Sequence, residues 1–154
     1  HWMVHSFPTR RSSDLKGFFI LARTSNKGSS DFQLLKLDNG EHLYVKVAKK
    51  IAEWNKKYSS GIGAVSGATH IDELKSIAGI FSKHDFLPML IPGVGSQGGD
   101  LNSIISALKA IDYPLHKVFI NNSSKITYGY LENKELSYLE VVEKEIKKMF
   151  VLPS

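Results

Sequence analysis

The chain has no cysteine, which excludes a disulfide framework, a thiolate metal site and a cysteine nucleophile. No apolar run approaches the roughly 18–20 residues of a membrane span, so a soluble, cytoplasmic protein is expected. Arginine is scarce and unevenly placed. Of three, Arg10 and Arg11 lie in the first fifteen residues, and after Lys16 only Arg23 remains among the lysines. The three methionines, Met3, Met89 and Met149, form no cofactor pattern. A net charge of +5 is modest, and Lys and Glu mix along the helical stretches. No basic cluster faces interleaved aromatics, so nucleic acid is not an expected partner. At 154 residues there is room for one ordinary domain and not for two.

Residues 1–15 (HWMVHSFPTRRSSDL) are polar and without period. They lack the apolar core of a secretory signal, and their Arg- and Ser-rich composition fits a mitochondrial-type presequence only loosely. The break in residue usage at Lys16 reads as an appended leader, similar to translated adapter sequence, and it is expected to be disordered. Residues 16–154 are the part to explain.

That part alternates strand and helix. Gly17–Arg23 is a continuous apolar run followed by a polar loop through Gly40. Glu41–Tyr58 then carries Leu43, Val47, Ile51 and Trp54 at helical spacing. Ile62–Gly67 precedes a helix opened by Thr69-x-x-Asp72, which reads as a capping box. Phe86–Ile91 leads through a glycine-rich loop to Asp100, the expected cap of a helix with Leu101, Ile104, Ile105, Leu108 and Ile111 inward. Val118–Asn121 and the stretch to Tyr128 come last, before a helix over Ser137–Phe150 with a capping box at Ser137-x-x-Glu140. Strands apolar along their whole length imply burial on both faces, hence a parallel sheet covered by helices. Four βα units of roughly 35 residues are half of a (β/α)8 TIM barrel, whose full length is about 250 residues. A flavodoxin-like open sheet is the rival architecture.

Three loops carry candidate chemistry. Pro92-Gly93-Val94-Gly95-Ser96-Gln97-Gly98-Gly99-Asp100 lies between a strand and a helix. Its glycines would let backbone N–H groups approach an oxyanion, aided by the helix N-terminus, so phosphate is the natural ligand. Gly93, Gly95 and Gly98 also satisfy G-x-G-x-x-G with Asp112 downstream. A dinucleotide site is set aside because Asp112 falls at a helix end before Tyr-Pro. A purely structural glycine turn stays open. Asn121-Asn122-Ser123-Ser124-Lys125 could complete a phosphate cup after the last strand, as the final loops of barrels often do; Lys125 as a solvated surface lysine is the plain alternative. Arg23-Thr24-Ser25-Asn26 ends the first strand, where it could bond a base or simply form a turn. Gly67-Ala68-Thr69 ends the second, with Thr69 read as a helix cap. His42, His70, His84 and His116 make no i, i+4 pair, so no metal is expected.

With these motifs in order, residues Lys16 to about Phe150 resemble the C-terminal half of orotidine 5′-phosphate decarboxylase, in its longer bacterial subfamily. The resemblance rests on Arg-Thr-Ser-Asn at 23–26, Gly63-Ala64-Val65-Ser66-Gly67-Ala68-Thr69, the Pro92–Asp100 loop and Asn122-Ser123-Ser124. It implies a (β/α)8 barrel that converts orotidine monophosphate to uridine monophosphate in pyrimidine biosynthesis, without metal or organic cofactor, as a homodimer with sites at the interface. It assigns Ser25 to the pyrimidine, Pro92 and Val94 to the base and carboxylate pocket, and Gln97 to both phosphate and base. Gly98, Ser124 and Lys125 fall to the phosphate, with Lys125 standing where Arg is usual and so lacking the bidentate fork.

The family's Asp–Lys–Asp array, D-x-K-x-x-D, is missing. Asp14-Leu15-Lys16 imitates its first half, but Phe19 stands where the second Asp belongs. No catalytic residue is therefore expected here, and the chain is expected to be a C-terminal half without decarboxylase activity of its own. The alternatives are another enzyme on a phosphate-binding barrel, such as a sugar-phosphate isomerase, and a non-catalytic nucleotide-binding half-barrel.

Overall fold

A computed structural model describes residues 17–58, 61–95 and 98–150. The leader, with its expected disorder, and Gln97 lie outside the described residues. Four strands, β1 (Phe18–Arg23), β2 (Ile62–Ser66), β3 (Met89–Pro92) and β4 (Val118–Asn121), form one sheet in the order β1-β2-β3-β4. Every neighbouring pair is parallel. The helices are α1 (Ser30–Gln33), α2 (Leu43–Tyr58), α3 (Ile71–Phe81), α4 (Leu101–Lys109), α5 (Ser123–Tyr128) and α6 (Tyr138–Phe150). A flavodoxin-like sheet reverses its strand order at a switch point; this one never does. Each strand lies beside the next in sequence, as in the wall of a (β/α)8 barrel, and four strands make half of that wall.

The helices cover one face. Ala48 and Ile51 of α2, Leu74, Ile77 and Phe81 of α3, and Ile104 and Leu108 of α4 are fully buried against Ala64, Met89 and Ile91 of the sheet. Each large side chain so buried contributes about 1.5–3 kcal/mol. Cover on both faces was the expectation for all strands; only β2 is buried at all five positions, and there the Phe19 ring lies over Gly63 where a second helical layer was expected. Strands β1 and β4 instead alternate, leaving Phe19, Leu21 and Phe119 exposed on the face away from the helices. Among the described residues no second layer packs on that face. The Phe19 and Phe119 ring centroids are nonetheless 5.6 Å apart. In a flat sheet their strands would stand roughly 14 Å apart, so the sheet curls inward on this side.

Several local expectations shift. Strand β3 begins at Met89 instead of Phe86, because Asp85 and Phe86 hold φ of 56° and 52°, a left-handed turn that no strand accommodates. Helix α2 begins at Leu43 instead of Glu41, since His42 is tied to Lys36 by an antiparallel bridge. The expected polar loop before Gly40 contains α1 and a 3-10 turn at Lys27–Ser29. The Thr69 cap is not made: His70 is the N-cap of α3 without a side-chain bond, and Thr69 Oγ1 is buried without a partner. The other two caps form. Asp100 accepts from Ser103 N at 2.8 Å, and Ser137 N donates to Glu140 at 2.8 Å. No helix among the described residues is long and apolar enough to cross a membrane.

Candidate functional site

Parallel strands put all their C-terminal ends on one rim, and the polar loops of the sequence follow those ends. Backbone bonds stitch the loops together. Gly67 N donates to Arg23 O at 2.7 Å, and Ala68 N donates to Pro92 O at 3.0 Å. The loops after β1, β2 and β3 thus form a continuous ledge.

Ser25 sits in this ledge with its hydroxyl buried and unpartnered. It lies against Gly67: a Cβ there would fall 2.3 Å from Ser25 Oγ and 2.8 Å from Ser25 N. Only glycine permits that approach. Ser66 Oγ, at the end of β2, is likewise buried without a partner. Buried polar atoms are normally satisfied, so a set of orphans at one rim marks a place where a ligand's polar groups could fit. Pro92 is half-buried and Val94 is buried.

The glycine loop is internally bonded. Gly95 N donates to Gly99 O at 2.8 Å, Gly98 N to Gly95 O at 3.2 Å, and Gly99 N to Gly93 O at 3.2 Å. Gly95 and Gly98 hold φ of 78° and 87°, which favours glycine. The sequence suggested that this loop's N–H groups and the following helix end would face an anion. Those three N–H groups are already engaged, and the first turn of α4 is capped by the Asp100 carboxylate. Bonds from the Ser103 hydroxyl and N–H hold that carboxyl below its usual range. Asp112 lies in the turn beyond the C-terminal end of α4, with φ of 52°.

Beside Gly95 stand Asn122 and Lys125; a Cβ at Gly95 would lie 3.6 Å from Asn122 Nδ2 and 3.8 Å from Lys125 Cγ. Two clefts meet here. One of about 300 Å³ is lined by Gly95, Ser124, Lys125 and Glu132. The other, of about 500 Å³, runs past Val94, Gly99, Asn122 and Lys125 to Lys148. The Lys125 ammonium is bonded to Glu132 at 2.6 Å, which raises its pKa and lowers that of Glu132. To grip an anion it would have to exchange that partner. Sequence reasoning passed over Glu132, which carries no motif, and the orphaned Asn122 Oδ1, although Asn122 lay within a motif it had singled out. Among the described residues no group of three or more His, Asp or Glu could hold a metal ion.

No family model matches the chain. It is 39% identical over 139 residues to the orotidine 5′-phosphate decarboxylase of Herpetosiphon aurantiacus, a match covering 90% of this chain and 46% of the relative. The chain is homologous to orotidine 5′-phosphate decarboxylase. The enzyme of that name from Dehalococcoides mccartyi is 52% identical over 93 residues, covering 58% of this chain and 33% of its own length. The solved OMP decarboxylase of Leishmania donovani aligns with a TM-score of 0.60 at 24% identity, over 87% of this chain and 47% of that one, and speaks for the fold. The chain thus spans between a third and about half of these orotidine 5′-phosphate decarboxylases. Ser25, Val94 and Gly98 lie in the loops after β1 and β3, Pro92 is the last residue of β3, and Ser124 and Lys125 lie in the first turn of α5, just after β4. Gln97 lies outside the described residues.

Proposed function

We propose that this chain supplies the base- and phosphate-binding side of an orotidine 5′-phosphate decarboxylase barrel, and that by itself it binds the nucleotide without decarboxylating it. The reading is carried by the Ser25 hydroxyl, buried, unpartnered and closely approached by Gly67, on the same rim as Lys125 at the start of α5. In this reading Ser25 bonds a pyrimidine edge, Pro92 and Val94 wall the base, and the Ser124–Lys125 turn takes the phosphate, with Gln97 spanning the two. Lys125 would leave Glu132 for the phosphate, trading one charge-assisted bond for another.

Decarboxylation breaks the bond from C6 to the carboxylate, leaves the electron pair on C6 and needs an acid to protonate it. No D-x-K-x-x-D run occurs in the sequence, so this chain offers no such acid beside carboxylates that would strain the substrate's own. The wider reading includes a homodimer acting in the cytoplasm on a soluble nucleotide.

Titration with uridine monophosphate and an assay of carbon dioxide release from orotidine monophosphate test both halves. The expected result is saturable binding with no release. Turnover by the purified chain would refute the division of labour, and binding no stronger than that of inorganic phosphate would refute the base site. A sugar-phosphate isomerase would need an acid or base at the strand ends that could serve a proton shuttle, and Lys125, engaged by Glu132, is a poor one.

A further inference from the structure

Among the described residues Arg23 is the largest fully buried side chain, 1% exposed. A buried guanidinium carries a desolvation cost that a hydrophobic side chain of similar size would avoid, so its bonds must serve something. They do not reach into the core. Nη1 donates to Ser29 Oγ, to Gln33 Oε1 at 3.3 Å and to Thr24 O at 3.2 Å. Nε lies 3.7 Å from Glu73 Oε1, in the first turn of α3, without a formed hydrogen bond.

Gln33 completes the frame. Its Oε1 accepts from Thr24 N at 2.9 Å, and its Nε2 donates to Thr24 Oγ1 at 3.0 Å. Thr24 Oγ1 in turn donates to Asn26 Oδ1 at 2.6 Å. One planar cation therefore ties the segment after β1 to α1 and sets it beside α3, the helix that follows Gly67. Ser25 belongs to that segment, and its hydroxyl lies against Gly67, just after β2. Lysine, with a single ammonium, could not hold the same acceptors in the same directions.

We propose that Arg23 is a positioning residue: with Gln33 and Glu73 it presets the Thr24–Asn26 segment so that the Ser25 hydroxyl faces a nucleobase. The inference rests on the base-binding reading of Ser25, and it adds the group that fixes the geometry. It explains how an unpartnered buried hydroxyl is tolerated, since a loose loop would turn it toward water or a backbone acceptor.

The test compares the whole chain with Arg23→Lys and Gln33→Leu variants, the second removing the Thr24 anchor while leaving the guanidinium in place with its bonds to Ser29 and the Thr24 carbonyl. Uridine monophosphate and ribose 5-phosphate are titrated against each; they share sugar and phosphate and differ by the base. Both variants should weaken uridine monophosphate about tenfold, the loss of one well-made polar contact, and leave ribose 5-phosphate within about twofold. Equal losses for both ligands would make the network merely structural, and no loss for either would also overturn the proposal. Hydrogen exchange gives a readout free of ligand. The Thr24 amide should exchange about tenfold faster in Arg23→Lys while the amides of β2 are unchanged. If the unaltered chain fails to prefer uridine monophosphate, the base reading falls. An unchanged Thr24 amide sinks the positioning role whatever the titrations show.

Discussion

Replacing Gly67 by alanine bears on both fold and site. An ideal Cβ at this position would sit 2.3 Å from Ser25 Oγ, 2.8 Å from Ser25 N and 3.0 Å from the Thr24 carbonyl carbon. A hydroxyl can rotate away, but the other two atoms are backbone, and ordinary carbon contacts lie at about 3.5–4.0 Å. The β1 loop must therefore move by several tenths of an ångström, against the bond from Gly67 N to Arg23 O. Overpacking of this kind costs about 1–3 kcal/mol. Alanine also restricts the unfolded chain, which returns about 0.4–1 kcal/mol. The net expectation is a destabilisation of roughly 0.5–2 kcal/mol, with uridine monophosphate binding impaired more than ribose 5-phosphate binding. Gly79, in α3 with nothing within 4 Å of its would-be Cβ, is the internal control: alanine there should stabilise by up to about 1 kcal/mol. Urea denaturation with an unchanged slope reads both. If Gly67→Ala is as stable as the unaltered chain and binds the nucleotide as well, the close approach of the two loops is not what holds the site.

Four further outcomes follow from the same structure. Tyr113→Phe removes a donor to the buried Leu87 carbonyl and should cost about 1–3 kcal/mol, read by thermal unfolding. Phe81→Ala empties a fully buried position at the centre of the helical face and should cost about 3–5 kcal/mol. Asp100 and Glu140 have pKa values lowered mainly by hydrogen bonds from the Ser103 and Ser137 hydroxyls. A depressed folded pKa means their caps stabilise above the ordinary carboxylate range and lose that effect as pH falls through the folded value. Helicity followed by circular dichroism should thus drop in acid below about pH 4, and an Asp100→Asn, Glu140→Gln double variant should flatten that step. Leu21 is 62% exposed and Phe119 51% exposed on the uncovered face of the sheet; together with two edges that are unpaired among the described residues this predicts self-association. Sedimentation should shift toward monomer in Leu21→Lys, and a concentration-independent monomer for the unaltered chain would contradict the prediction.

Much of this molecule was legible in its amino-acid order. Hydrophobic period and length separated the strands from the helices, because burial of one helical stripe or one strand face imposes a spacing on apolar residues. The Ser137–Glu140 box and the Asp100 cap could be read because capping is local, needing only a side chain three residues from an N–H. The order of the polar loops likewise placed Ser25, Pro92, Val94, Ser124 and Lys125 at strand ends. Tertiary structure alone decided the rest. Thr69 lost its cap to a one-residue shift of the helix start, and the start of β3 was displaced by the left-handed turn at Asp85–Phe86. Which strand face is covered depends on where helices pack, and a continuous apolar run looks the same in either case. The Arg23–Gln33–Glu73 frame joins residues ten and fifty positions apart, and Glu132 reaches Lys125 across a turn. Such partners have no period and no motif, because charges and amides pair by proximity in space and leave no mark of it along the chain.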